Sequence, residues 1–113
     1  MKAYKGADVK KFDKRPGLVG TFVHGEGQTL AYWTFEEGAV LASHSHVHAQ
    51  ITCVVSGKLR FETEGGSAVA GPGDFVVFAP NETHGGVCLE KAVALDAFAP
   101  AREDFKAEMG WTD

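Results

Sequence analysis

Short apolar runs separated by turn residues dominate the chain between residues 18 and 98. The runs are rich in β-branched and aromatic residues, and clusters with glycine, proline or asparagine follow most of them. They occupy residues 18–23, 29–35, 51–55, 59–63, 75–78, 87–89 and 92–98. No segment of this region keeps the 3.6-residue period of an amphipathic helix. The pattern therefore predicts an all-β sandwich or barrel.

The two ends of the chain differ from this central region. Residues 1–17 are expected to form an N-terminal arm, and residues 99–113 a C-terminal tail. In the tail, charged residues mixed with Phe105, Met109 and Trp111 predict a short helical turn. The 113 residues show no internal repeat and no linker, so we expect a single domain.

Composition and charge argue against several classes of protein. The chain carries 11 basic and 15 acidic residues, and it lacks the basic stripe of a nucleic-acid-binding surface. No stretch approaches the ~20 apolar residues of a transmembrane helix, and the N-terminus lacks the apolar core of a secretory signal. Cys53 and Cys88 form no disulfide framework, which favours buried thiols and a cytoplasmic location. We expect neither a nucleic acid nor a membrane as partner.

Three histidines fall within five residues, at His44, His46 and His48. Alternate side chains of a strand share a face, so these imidazoles and Gln50 are expected to point the same way. Neutral imidazole is the commonest transition-metal ligand, and this spacing favours a metal site over a solvated polar strand face. His84 follows another apolar run; alone it would be a turn residue more often than a ligand, but beside the cluster it is the natural closing ligand.

The two histidine segments resemble the paired motifs of the cupin superfamily. The first motif is glycine, histidine, histidine, glutamate and glycine at fixed spacing, here with glutamine in place of glutamate. The matching positions are Gly38, His44, His46, Gln50 and Gly57. The second motif, a glycine and a histidine separated by ten residues, is matched by Gly73 and His84, with the proline displaced by one position to Pro80.

This resemblance implies a small single-domain jelly-roll barrel, also called a double-stranded β-helix. It also implies one divalent transition metal with a set of four ligands: His44, His46, Gln50 and His84. The metal would be Zn, Ni, Mn, Fe or Co, because N/O ligand sets discriminate poorly between these ions. His48 is then an extra histidine, which either neighbours the site or points outward if the strand bends.

Glutamine at position 50 changes the charge of such a site. An amide oxygen binds a metal ion without cancelling one unit of its charge, as a carboxylate would. The remaining charge suits an anionic substrate or a developing enolate, and it suits less well the 2-His-1-carboxylate site of many iron oxygenases. The alternative is that Gln50 is kept for packing, or is a ligand that has been lost.

Asp96 lies within an otherwise apolar predicted strand, on the same face as Ala94 and Phe98. A buried carboxylate is costly unless it is paired or functional. If this face lines the barrel interior, Asp96 is a candidate general acid or base, and the planar fork of Arg102 is suited to a substrate carboxylate. The alternative for Asp96 is a structural ion pair with Arg102 or another cation. The alternative for Phe98 is an ordinary position in the core.

The chain looks most like the pectin-degradation cupins of the KdgF type. The segments that carry the likeness are residues 3–6, 22–27, 44–52 and 96–105. That family converts 4,5-unsaturated monouronates from pectin or alginate to linear keto forms, so the resemblance implies a metal-dependent tautomerase or isomerase. It assigns catalytic roles to Asp96, Phe98 and Arg102. The departures from residues common in that family, which leave the substrate preference open, are Ala42, Ala49, Cys53 and Ala101.

Two other functions remain compatible with the sequence. One is an Fe(II)-dependent cupin dioxygenase, against which Gln50 argues. The other is a non-catalytic cupin that binds a small anion or a sugar, because a fold alone does not choose between functions.

The KdgF resemblance also implies a homodimer. The N-terminal arm and the aromatic residues Trp33, Phe35 and Phe61 are candidates for its interface. His24 lies in a glycine-rich turn and is not expected to bind the metal.

Overall fold

Eight strands, one 3-10 helix and one α-helix make up residues 1–112, the part of the chain that the computed structural model describes. The strands are β1 (Lys11–Arg15), β2 (Leu18–Gly25), β3 (Gln28–Phe35), β4 (Val40–His44), β5 (Ala49–Thr63), β6 (Gly66–Ala70), β7 (Phe75–Phe78) and β8 (His84–Ala99). The 3-10 helix is Gly6–Asp8, and the α-helix, α1, is Glu103–Met109. Asp113, the last residue of the predicted C-terminal tail, lies outside the described residues.

The two longest strands, β5 and β8, form the centre of the sheet and pair antiparallel along most of their length. The first part of β8 also pairs with β4, and its second part pairs with β3. β1 and β2 continue the sheet beyond β3, whereas β6 and β7 pair with β5. Each long strand therefore has different neighbours along its length, as in a sheet that folds over a core. The structure confirms the predicted all-β jelly-roll barrel.

Alternate side chains of the strands fill the barrel interior. Both β2 and β3 bury every second residue, from Leu18 to His24 and from Thr29 to Phe35. Phe22, which is fully buried, packs with its ring centroid 4.4 Å from that of Phe105 and 5.2 Å from that of Trp33. Aromatic pairs at these distances add to the stability that apolar burial provides.

The same alternation corrects the predicted dimer interface. Trp33, Phe35 and Phe61 belong to the buried core, where each is at most 7% exposed. They face the interior because they occupy the inward positions of β3 and β5. The prediction that these aromatic residues contact a second copy is therefore wrong.

Two predicted strand breaks are absent, so β5 and β8 are longer than the sequence indicates. Residues 51–55 and 59–63 both belong to β5, and residues 87–89 and 92–98 both belong to β8. The β5 strand continues through Gly57, whose φ is 78°, with shifts in its register to β8 on either side. A side chain at position 57 would lie 2.0 Å from the carbonyl oxygen of Lys91, so glycine permits the close approach of the two strands.

Both ends of the chain pack on the barrel. Residues of the predicted arm form β1, which pairs with β2. The predicted helical turn of the tail is confirmed as α1, which buries Phe105 in the core. Lys14 of β1 binds Glu108 of α1 at 2.6 Å, so the two ends also contact each other. Within residues 1–112, no helix has the length and apolar character needed to cross a membrane.

Candidate functional site

Three histidines converge at one end of the barrel, where they line the same cavity. His44 ends β4 and His84 begins β8, and the two residues are paired in the antiparallel register of these strands. His46 lies in the loop that follows His44. One ring nitrogen from each of the three lies within 4.8 Å of the others, which is close enough for all three to bind one ion after small adjustments.

The segment of alternating histidines is a loop where the sequence predicts a strand. β4 ends at His44 and β5 begins at Ala49. Because β4 and β5 pair with opposite edges of β8, the chain has to cross between them here. His48 is not part of the three-histidine group, but its ring centroid lies 5.5 Å from that of His46. Of the two alternatives for His48, the structure places it as a neighbour of the site.

Hydrogen bonds from the backbone fix the ring orientation of the three clustered histidines. Each Nδ1 lies 2.8–3.0 Å from a backbone carbonyl oxygen. The carbonyls belong to Ala42, His48 and Glu82. When Nδ1 donates to a carbonyl, a neutral imidazole carries no hydrogen on Nε2, whose lone pair is then available to a metal.

The imidazoles of His44 and His46 favour the neutral form that binds metals. Burial is the largest cause that lowers the pKa of each ring. The positive charge of Arg102 lowers both pKa values further. Neutral imidazoles keep their lone pairs for a ligand role at neutral pH.

Gln50 faces this cluster with its amide oxygen. Its Oε1 lies 3.0 Å from Nε2 of His46, and its amide nitrogen donates to the hydroxyl of Thr52 at 3.0 Å. When Nδ1 of His46 donates to a carbonyl, the lone pair of its Nε2 faces a lone pair of Gln50 Oε1 across 3.0 Å. Adjacent ligands of one cation approach in this way, so the donor set fits a divalent metal ion.

Asp96 is buried on β8, directly opposite Thr52 of β5. Its carboxylate accepts hydrogen bonds from Nε1 of Trp33 at 2.7 Å and from the hydroxyl of Thr52 at 2.5 Å. Burial raises the pKa of Asp96, and the hydrogen bonds from Thr52, Trp33 and Gln50 oppose that effect. A carboxyl group whose pKa is raised holds a proton more readily than a free carboxyl group does, which suits a role in proton transfer.

Arg102 is also buried, but it does not form the ion pair with Asp96 that the sequence left open. Its Nε and Nη2 bind the carboxylate oxygens of Asp104 at 3.0 and 2.7 Å. This contact lowers the pKa of Asp104 to about 2. The guanidinium carbon lies 3.8 Å from the ring centroid of Phe105 and 4.7 Å from that of Phe98, so cation–π contacts hold the group as well.

These side chains line one cavity of about 310 Å³ within the barrel. The predicted site residues that line it are His44, His46, Gln50, His84, Asp96, Phe98 and Arg102. The size falls at the lower end of the range for small-molecule pockets. The structure thus brings together all seven residues that the sequence singled out from distant parts of the chain.

Several further residues of this cavity were missed by the sequence reasoning. Thr52 and Trp33 bind Asp96, and Asp104 binds Arg102. Lys14 and Arg15 of β1 line the cavity although their segment was predicted to be an arm. For Thr52 a signal existed, because it lies two residues after Gln50 and therefore on the same face of a strand.

Comparison with known proteins agrees with this architecture. The family model of the cupin domain matches residues 31–98. KdgF from a Halomonas species superposes with a TM-score of 0.85 at 31% sequence identity, over 92% of this chain and 99% of that one. An RmlC-like cupin from Shewanella frigidimarina gives a TM-score of 0.84 at 30% identity, over 90% and 93% of the two chains.

More distant structures share the fold alone. Ectoine synthase from P. lautus superposes with a TM-score of 0.83 at only 14% identity, over 96% of this chain and 84% of that one. Among curated proteins, none matches the sequence significantly. The match over residues 31–98, with the barrel and its histidine cluster, shows that this chain belongs to the cupin family.

Proposed function

We propose that this protein catalyses the metal-dependent ring opening and ketonisation of 4,5-unsaturated monouronates to linear keto sugar acids. The observation that carries the proposal is the joint presence, in one small cavity, of a metal-type donor set and a buried carboxyl group. The likeness to KdgF at 31% identity supports it, because the sequence resemblance to KdgF-type cupins implies these substrates. Cupins host many functions, so the argument rests on the site and not on the fold.

The metal ligands in this proposal are His44, His46, Gln50 and His84. A divalent ion held there supplies Lewis acidity to a substrate oxygen. Because all four donors are neutral, they leave the charge of the ion available to an anionic substrate. The identity of the ion, among Zn, Ni, Mn, Fe and Co, is left open by a site of three imidazoles and an amide.

Arg102 orients the substrate carboxylate. Its Nε and Nη2 are occupied by Asp104, which leaves Nη1 for a substrate oxygen. The pair with Asp104 and the stacking on Phe105 hold the guanidinium in place before the substrate arrives. Such preorganisation reduces the entropy that binding would otherwise cost.

Asp96 moves the proton that the reaction requires. The anomeric hydroxyl loses a proton, the bond between C1 and the ring oxygen breaks to give an aldehyde, and the resulting enolate takes up a proton at C4 to give a ketone. The raised pKa of Asp96 suits both the removal and the return of a proton. Phe98, with its ring centroid 5.6 Å from that of His46, forms a wall against the sugar face.

The outer face of the sheet supports the homodimer. Two rows of outward-facing residues cross β3, β8, β5 and β7 in register. The rows are Leu30, Ala97, Ile51 and Val77, and Tyr32, Leu95, Cys53 and Phe75. None of these side chains is charged, and Val77 and Phe75 are about 70% exposed within one chain. An apolar patch across four strands suits an interface with a second copy.

A reducing compartment, the cytoplasm, is also part of the proposal. Cys53 and Cys88 are both free thiols. Cys88 is buried, and burial is the largest cause that raises its thiol pKa, so the unreactive protonated form is favoured. Stable free thiols are typical of proteins from reducing compartments.

Replacing Asp96 is expected to remove the catalysed reaction without removing the metal. In Asp96→Asn and Asp96→Ala, the metal-dependent rate should fall about 100-fold or more, because a general acid–base group is lost. The rate is measured by NMR from the loss of the C4 vinyl proton of freshly made unsaturated galacturonate. Metal content, measured in parallel, should stay near one ion per chain, and an unchanged rate in both variants would show that Asp96 carries no proton.

Thr52 is expected to control metal affinity although it is not a ligand. Thr52→Val removes the hydroxyl that accepts from the Gln50 amide, so the amide oxygen is no longer held toward the histidines. Loss of such a supporting contact should weaken metal binding about 10- to 100-fold. Competition with a chelating dye measures the affinity, and Thr52→Ser, which keeps the hydroxyl, is the control. Equal affinity in Thr52→Val and the wild type would contradict this role.

The dimer proposal predicts a solution mass of twice that of the chain. Val77→Lys places a charge in the apolar patch and should give a monomer, since burying an unpaired charge is costly. Val69→Lys is the matched control, because Val69 is 56% exposed on β6, outside the two rows. Light scattering coupled to size exclusion gives the mass. A monomeric wild type at high protein concentration would rule out the interface.

A further inference from the structure

A β-bulge at the end of β1 brings two consecutive basic residues to the cavity. Between Asp13 and Arg15 the pairing of β1 with β2 shifts by one residue. In a regular strand, neighbouring side chains point to opposite faces. Here Lys14 and Arg15 both line the cavity that holds the histidines. Bulges of this kind redirect a side chain and are common beside active sites.

The cations that line this cavity differ in whether their charge is compensated. Lys14 binds both carboxylate oxygens of Glu108, at 2.8 and 2.6 Å. Arg102 binds both carboxylate oxygens of Asp104. Arg15, in contrast, forms no ion pair with any carboxylate of residues 1–112. Of these three side chains it is the one with uncompensated positive charge.

Arg15 and the histidine cluster line the same cavity. The two arginines reach this cavity from different elements, Arg15 from β1 and Arg102 from the residue before α1. A ligand in the cavity would meet both of them.

We propose that Arg15 is a specificity-determining residue that selects carboxylate-bearing ligands over neutral ones. The inference rests on the proposed function, which gives an acidic sugar as the ligand. Arg102 contributes directed hydrogen-bond donors, and its charge is shared with the Asp104 carboxylate that it binds. Arg15 contributes the net charge that attracts the anion, an effect that falls with rising salt because the side chain is exposed.

The test compares binding of galacturonate and of its uncharged methyl ester to metal-loaded protein. Isothermal titration calorimetry gives the dissociation constants at low salt and at high salt for wild type, Arg15→Gln and Arg15→Lys. Lys11→Gln is the matched control, because this substitution removes the same charge from the same strand, and Lys11 does not line the cavity. Arg15→Lys separates the role of charge from that of side-chain packing.

Arg15→Gln should weaken galacturonate binding about three- to fivefold at low salt, the upper part of the range for a single exposed charge pair. Binding of the methyl ester should not change, and the difference for galacturonate should shrink at high salt. Arg15→Lys and Lys11→Gln should both bind galacturonate as the wild type does. Equal binding by Arg15→Gln and wild type, or an equal loss for the ester or in Lys11→Gln, would overturn the inference.

The same proteins keep this inference separable from the proposed function. If the wild type does not accelerate loss of the C4 vinyl proton but Arg15→Gln selectively weakens galacturonate binding, the proposed reaction fails and the role of Arg15 holds. If turnover is confirmed but Arg15→Gln keeps the wild-type KM at low salt, the role of Arg15 fails and the reaction holds. A wild type that does not bind galacturonate overturns the inference directly.

Discussion

The antiparallel pairing of β5 with β8 is the constraint on which the site depends. Its register places Gln50 opposite Phe98 and Thr52 opposite Asp96 at one end of the pair, and Thr63 opposite His84 at the other. A shift of one residue would turn all of these side chains to the opposite face of the sheet. At Gly57 the β5 backbone lies against the carbonyl of Lys91, so this pairing leaves no room for a side chain at that position.

A line of hydrogen bonds connects the histidine cluster with the buried carboxylate, and it gives a physical reason for glutamine at position 50. The Thr52 hydroxyl has one hydrogen, which it donates to Asp96, so its oxygen is left to accept from a donor. The Gln50 amide is such a donor, and an ionised glutamate is not. The amide thus presents a neutral oxygen to the histidines while supporting Asp96 through Thr52. These three side chains therefore connect the proposed metal site with the proposed proton carrier.

Much of this site was predictable because its residues carry strong local signals. The residues that line the cavity were indicated by the closely spaced histidines, by the spacing of His84 and by a carboxylate within an apolar strand. The β architecture was indicated by the glycines that separate the apolar runs. The sequence pattern missed features that depend on distant partners. Trp33 was predicted to be at an interface, but its pairing with β2 and β8 turns its side chain inward. Residues 45–48 form a loop because β4 and β5 lie on opposite edges of β8. Arg15 reaches the cavity through a bulge that no run of residues marks.

The central claim is that this cavity opens the ring of unsaturated uronates with the help of a divalent metal. An NMR time course of freshly made unsaturated galacturonate tests it most directly, with metal-loaded protein compared with chelator-treated protein and with buffer alone. The account predicts faster loss of the C4 vinyl proton, appearance of the linear keto product, and loss of the acceleration after metal removal. Loss of that signal at the buffer rate with fully metal-loaded protein would contradict the account.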